Sequence, residues 1–110
     1  MITIFVSLES RQSTDIIESF AQSLGATPTM SAPRAANGKE VDIFVADDVD
    51  TARSVAEQTQ QTIIIVRYES EIGRRFAESV VCSFRGRVFA VHWVDSISLL
   101  RKIIEEKKKG

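Results

Sequence analysis

Arg87-Val88-Phe89-Ala90-Val91-His92-Trp93-Val94-Asp95-Ser96-Ile97 is the stretch that decides the fold. Val88 to Val91 is a short apolar run of the kind a buried strand carries. It leads directly into a helix that the spacing predicts from Val94 to about Lys107. Trp93 sits at the junction. Ile97, Leu100 and Ile104 follow it at intervals of four, three and four, so one apolar stripe continues from the indole down the helix. The pattern makes Trp93 a core anchor and gives it no catalytic part.

Upstream, strand and helix patterns alternate. Ile2-Thr3-Ile4-Phe5-Val6-Ser7 is apolar on both faces, as a central strand of a parallel sheet is. Ser13 or Asp15 can cap the next helix, Asp15 and Glu18 standing at capping-box spacing. Ile16, Ile17, Phe20, Ala21 and Leu24 make its inner face, and Gly25 supplies the left-handed residue that ends it. Residues 27–31 read as a weak edge strand, where Pro28 need not donate, and 33–40 as a loop turning at Asn37-Gly38. Val41-Asp42-Ile43-Phe44-Val45-Ala46 is the second strong strand. Asp50 can cap a helix from Thr51 to about Thr59, with Ala52, Val55 and Ala56 inside. Thr62-Ile63-Ile64-Ile65-Val66 predicts another buried strand. A helix then starts at Glu69 or Ser70 and runs to Val81, with Ile72, Phe76 and Val80 spaced four apart. The expected architecture is an α/β domain: a central parallel sheet of four to five strands, flanked by helices on both faces. Residues 1–110 form one domain without internal repeats, and the immediate strand at Ile2 suggests a module cut from a larger protein.

The chain is 44% hydrophobic and 26% charged with a formal net charge of −1, so no global field draws it to nucleic acid or an anionic membrane. Basic character is local, at Arg74-Arg75 and Lys107-Lys108-Lys109. The terminal lysines read as a solvated helix end that suits the helix dipole, with DNA contact as the sharper alternative. Cys82 stands alone, so the sequence offers no internal disulfide and no zinc-binding thiol cluster; it reads as a small buried hydrophobe. No run approaches the ~20 apolar residues of a membrane span, and the start lacks a signal-peptide pattern, so no membrane partner and a reducing intracellular compartment are expected. His92 is the only histidine and reads as a partly buried structural residue. No Ser–His–Asp set, carboxylate pair or Gly-rich phosphate loop accompanies it. The expectation is no enzyme activity, no cofactor and no metal.

Several stretches, in order, resemble the BRCT domain, a phosphoprotein-binding and scaffold module. The first strand ends in a hydroxyl residue, Ser7. Leu24-Gly25-Ala26 closes the first helix before a weak strand, where the family has a Gly pair. Asp42-Ile43-Phe44-Val45 occupies the third strand, and Thr51-Ala52-Arg53 is similar to the Thr-x-Lys that opens the family's second helix. Trp93-Val94-Asp95-Ser96-Ile97 completes the set. The chain departs from the family in two respects. Leu8 stands where a glycine often follows the hydroxyl residue, and the long interval from Gln60 to Val88 holds an extra strand and helix. The resemblance implies a nuclear module from a DNA-repair, checkpoint, chromosome-segregation or kinetochore scaffold.

Ligands of open parallel sheets bind beyond the carboxyl ends of the strands. A phosphoserine or phosphothreonine peptide there would take hydrogen bonds from Ser7 Oγ and the Leu8 N–H and a charge-assisted contact from Arg53, which Thr51 orients. Arg11 would be an additional clamp, and Arg74 or Arg75 would take the basic role if the 70–81 helix replaced the family's second helix. Contacts of about 1.5–3 kcal/mol each support micromolar affinity for such a site. The plainer alternative makes Ser7 an ordinary strand-end hydroxyl and pairs Arg53 with Glu57. Asp47, Asp48 and Asp50 would repel phosphate unless they point away; they also resemble the acidic site of a phosphoacceptor receiver, but Ser7-Leu8-Glu9-Ser10 offers one carboxylate and the last strand ends in Trp93 instead of lysine. The alternative functions are a phosphate-independent scaffold or homodimer surface, using the 62–81 segment, and DNA contact through Arg74, Arg75 and the terminal lysines.

Overall fold

The computed structural model describes residues 1–29 and 39–110; the expected turn at Asn37-Gly38 and the end of the 27–31 strand lie outside them. In chain order the elements are β1 (Ile2–Ser7), α1 (Arg11–Ser23), β2 (Ala26–Pro28), β3 (Ile43–Ala46), α2 (Val49–Gln58), β4 (Ile63–Tyr68), α3 (Glu71–Ser83), β5 (Val88–His92), a 3-10 turn at Trp93–Asp95, and α4 (Ser96–Lys109). The strands form one five-stranded sheet, all parallel, in the order β2-β1-β3-β4-β5. This is a doubly wound α/β fold: the chain steps from β1 outward to β2, then reverses direction across the sheet to β3.

Period-two alternation sorts the core into two layers. Ile43 and Val45 of β3 and Ile65 of β4 face α1 and α4, packing with Ile17, Ala21, Leu100 and Ile104. Phe44, Ala46, Ile64 and Val66 face α2 and α3, packing with Ala52, Val55, Ala77 and Val80. Strands buried on both sides need the uninterrupted apolar runs seen in β3 and β4. Short β2, with Pro28, takes one edge and β5 the other.

Four expectations need correction. Trp93 is 48% exposed and anchors no core. It lies in the turn beyond an edge strand, and the space between α1 and α4 is already filled by Leu100, Ile103 and Ile104 from the helix that follows. Ile72 (69% exposed) and Phe76 (61%) also face outward, whereas Ala77 and Val80 are buried. A four-residue step drifts about 40° round a helix, so Ile72, Phe76 and Val80 do not share one face. The buried positions are instead Ala77 and Val80, with Phe84 partly buried against the same layer. Gly73 lies partly buried over β4, where a Cβ would stand 3.4 Å from Tyr68 Cβ. Cys82 is exposed, two positions beyond Val80 on that helix. Finally, the caps fall earlier than Ser13, Asp15 and Asp50. Ser10 Oγ accepts the Ser13 N–H at 3.2 Å and Asp48 Oδ2 accepts the Thr51 N–H at 3.0 Å. At α3 the cap is Ser70, one of the two expected starts, whose Oγ accepts the Gly73 N–H at 3.1 Å.

Gly25 ends α1 as its pattern predicts, at φ 91° with its N–H donating to the Gln22 carbonyl. At the amino edge of the sheet two side chains tie loops together. The Arg87 guanidinium donates to the Ala56, Thr59 and Thr62 carbonyls and to Thr59 Oγ1, at 2.8–3.2 Å, closing the carboxyl end of α2. The Glu40 carboxylate accepts the N–H groups of Gln60, Gln61 and Thr62 and the Thr62 hydroxyl. Its pKa falls from 4.5 to about 2, chiefly through the Gln61 N–H. Among the described residues no helix is long and apolar enough to cross a membrane.

Candidate functional site

All five strands point to one edge, where β1, β3 and β4 hand over to their helices and β5 to the 3-10 turn. The crevice where the winding reverses lies between the ends of β1 and β3, and Ser7 pairs there with Ala46. Ser7 follows Phe5 by two residues, so it faces the α2 side of the sheet. A hydrogen bond bridges this crevice: the Glu9 N–H donates to Asp47 Oδ2 at 3.2 Å, which sets two acidic residues directly after Leu8 and Ala46.

The other proposed phosphate ligands are engaged elsewhere. Both the N–H and the hydroxyl of Thr51 donate to Asp48, which holds that carboxyl below its ordinary pKa. Arg53 extends to α3, where its Nη2 meets Ser79 Oγ at 3.4 Å. Because α3 packs on β4 and β5, that reach leads along the sheet away from β1. Arg11 lies 3.7 Å from Asp15 and beside Thr29, on the β2 side. Arg74 is held by Glu71 at 3.4 Å and Glu78 at 3.0 Å, and Arg75 stands 4.0 Å from Glu71. Arg74 and Arg75 lie on α3, on the opposite face of the sheet from α4 and its terminal lysines, so these cations make no common surface.

What the fold does bring together surrounds Trp93. A hollow of about 270 Å³ opens between the ends of β3 and β4 and the start of α3, with Glu9, Asp47, Arg67, Tyr68, Glu69 and Trp93 in its walls. A second, of about 280 Å³, runs between α1 and the 3-10 turn and is mostly apolar: Ile16, Ile17, Trp93, Val94 and Ile97, with Arg67 again. Ile16 (55% exposed) and Val94 (57%) leave its rim uncovered. Trp93 and Arg67 thus form the wall between the two. Arg67 Nε is shielded from solvent and finds no acceptor among the described residues. Behind the indole, Tyr68 meets His92 edge-on at 5.8 Å, and His92 Nδ1 accepts the Val94 N–H at 3.4 Å.

The loops at this edge are acidic. The described loops 8–10, 47–48, 69–70 and 93–95 carry Glu9, Asp47, Asp48, Glu69 and Asp95 and not one Lys or Arg. These carboxylates are spread along the edge: among the described residues no three His, Cys, Asp or Glu side chains come together as a metal site. Sequence reasoning passed over Arg67, Tyr68 and Glu69. Their signal was a guanidinium ending a run of four β-branched residues in a strand buried on both faces, a costly place for a charge without a purpose. Comparison with protein-family models, curated proteins and solved structures returned no match for this chain.

Proposed function

We propose that this chain is a protein-interaction module, resembling the BRCT domain in its strand–Trp–helix close, that contacts its partner through the carboxyl edge of the sheet without requiring phosphate. The observation that carries this reading is the position of Trp93, half exposed between two hollows and flanked by Arg67 and Tyr68. Trp, Tyr and Arg dominate the energetics of protein interfaces because they combine large contact area with directed polar groups. Of the large exposed hydrophobic side chains, Ile16, Trp93 and Val94 share one groove at this edge, a grouping that marks contact surfaces.

Phosphopeptide recognition by Ser7, Leu8, Thr51 and Arg53 is the second reading. It draws on the crevice between β1 and β3. It is placed second because Asp47 and Glu9 stand in that crevice, while Arg53 is turned to Ser79 and Thr51 to Asp48. The BRCT resemblance carries with either reading a nuclear scaffold setting in DNA-damage, checkpoint or chromosome-segregation assemblies. An NMR titration of the labelled protein with matched phosphorylated and unphosphorylated peptide pools separates the two. Shifts centred on Ile16, Trp93 and Val94 with both pools support the phosphate-independent module. Shifts confined to Ser7, Leu8 and Arg53, with the phosphorylated pool alone, put the phosphopeptide reading in its place.

A further inference from the structure

The carboxyl edge joins two unlike surfaces that share one wall. On one side of Trp93 and Arg67 lies an apolar groove lined by Ile16, Ile17, Val94 and Ile97. On the other lies a polar hollow whose lining includes Glu9, Asp47 and Glu69 and one cation, Arg67. The described loops around it add Asp48 and Asp95 without a cation. Arg74 and Arg75, the nearest basic pair on α3, have Glu71 and Glu78 against them and leave the acidic balance in place. Resting on the interaction reading above, we infer that the occupant of this edge is a short segment of another protein carrying an apolar side chain and, close to it in sequence, a lysine or arginine. The apolar side chain fills the groove beside the indole. The cation enters the hollow opposite Glu9, Asp47 and Glu69 and lies within reach of the Trp93 and Tyr68 rings, where a desolvated cation gains from the ring faces. A phosphorylated or acidic segment meets the same carboxylates as repulsion.

Trp93 is the only tryptophan, so its fluorescence reports occupancy of this edge directly. The test titrates the protein with three synthetic peptide pools that share a Leu or Phe anchor. The first carries neighbouring Arg and Lys, the second has Gln at those positions, and the third has Glu. The expected result is a saturable change with the cationic pool alone, weakened severalfold by raising the salt. Glu9→Gln and Glu69→Gln, which keep side-chain size, should each weaken binding about three- to tenfold, with circular dichroism confirming the fold. Equal binding of the Gln pool overturns the cationic requirement and leaves the interaction reading standing. Preference for the Glu pool overturns the inference in the same way. No response to any pool, together with concentration-dependent self-association by sedimentation that Trp93→Ala abolishes, overturns the inference in favour of a second copy of the chain. Silence in all these assays overturns the interaction reading as well.

Discussion

Two residues show how poorly size predicts structural weight in this chain. Trp93 is the largest side chain it has, yet it stands half in solvent, while Leu100 one turn into α4 is fully enclosed. Leu100→Ala should therefore cost about 2–5 kcal/mol, the range for emptying a closed core site, and Trp93→Ala only about 1–2 kcal/mol. Urea unfolding followed by circular dichroism measures both; a larger loss for Trp93→Ala would return the indole to the core. Arg87 makes the opposite point. Its guanidinium serves three backbone carbonyls and a hydroxyl while its Cζ lies 5.8 Å from the centre of the Phe84 ring. Arg87→Ala leaves those carbonyls without their donor and should destabilise by about 2–4 kcal/mol in the same assay. Arg87→Lys should recover less than half of that, because an ammonium cannot span the set. Nothing local to Arg87 in the sequence says that the end of α2 lies beside it.

At the scale of the elements, helix starts were legible to within a few residues, and Ser70 was legible as a start while the caps of α1 and α2 were not. Ser10 and Ser13 are the same residue type three positions apart, and both lie within six residues upstream of Ile16. The extended φ of −84° and ψ of 123° at Ser10 makes it the cap. Ser10→Ala should then cost about 1 kcal/mol and Ser13→Ala within about 0.5 kcal/mol of nothing. Asp48→Ala and Asp50→Ala should divide the same way at α2, since Asp48 accepts the Thr51 N–H and Asp50 sits in the first turn. Equal losses within either pair would move the cap back to the later residue. The outer face of α3 was misread for a related reason. Large apolar residues spaced by four suggest a buried stripe, but the face that meets the sheet passes through Ala77 and Val80, and Ile72 and Phe76 are turned out.

Across the whole molecule, a net charge of −1 conceals a separation of charge. The carboxyl edge bears acidic loops, and the amino edge receives Arg85, Arg87 and the Lys107–Lys109 end of α4, with Lys108 Nζ 3.2 Å from where a Cβ on Gly25 would stand. Glu40 and Asp42 stand among these cations at the amino edge, and Glu40 links stability to pH. Its folded pKa of about 2 lies below the ordinary 4.5, so its contribution is fully present above 4.5 and is lost as pH falls through about 2. Unfolding curves for the natural chain and Glu40→Gln should thus differ most near neutrality and converge across that interval. A gap that stays constant down to pH 2 would mean the carboxylate is not held in this way.

The sequence by itself determined the α/β class, the central strands and the alternation of strand and helix. Those follow from runs such as Ile63–Val66 and from periodicity along one stretch of chain, where each residue's preference acts through its immediate neighbours. It placed Gly25 at a helix end for the same local reason. Only the tertiary structure decided that β5 is an edge, that Trp93 is consequently left beside solvent, and that Arg53 turns to Ser79 while Arg67 comes to line one hollow with Glu9, Asp47 and Glu69. Strand order and the meeting of separate loops depend on contacts between residues far apart in the chain, and no local pattern encodes which of them will become neighbours.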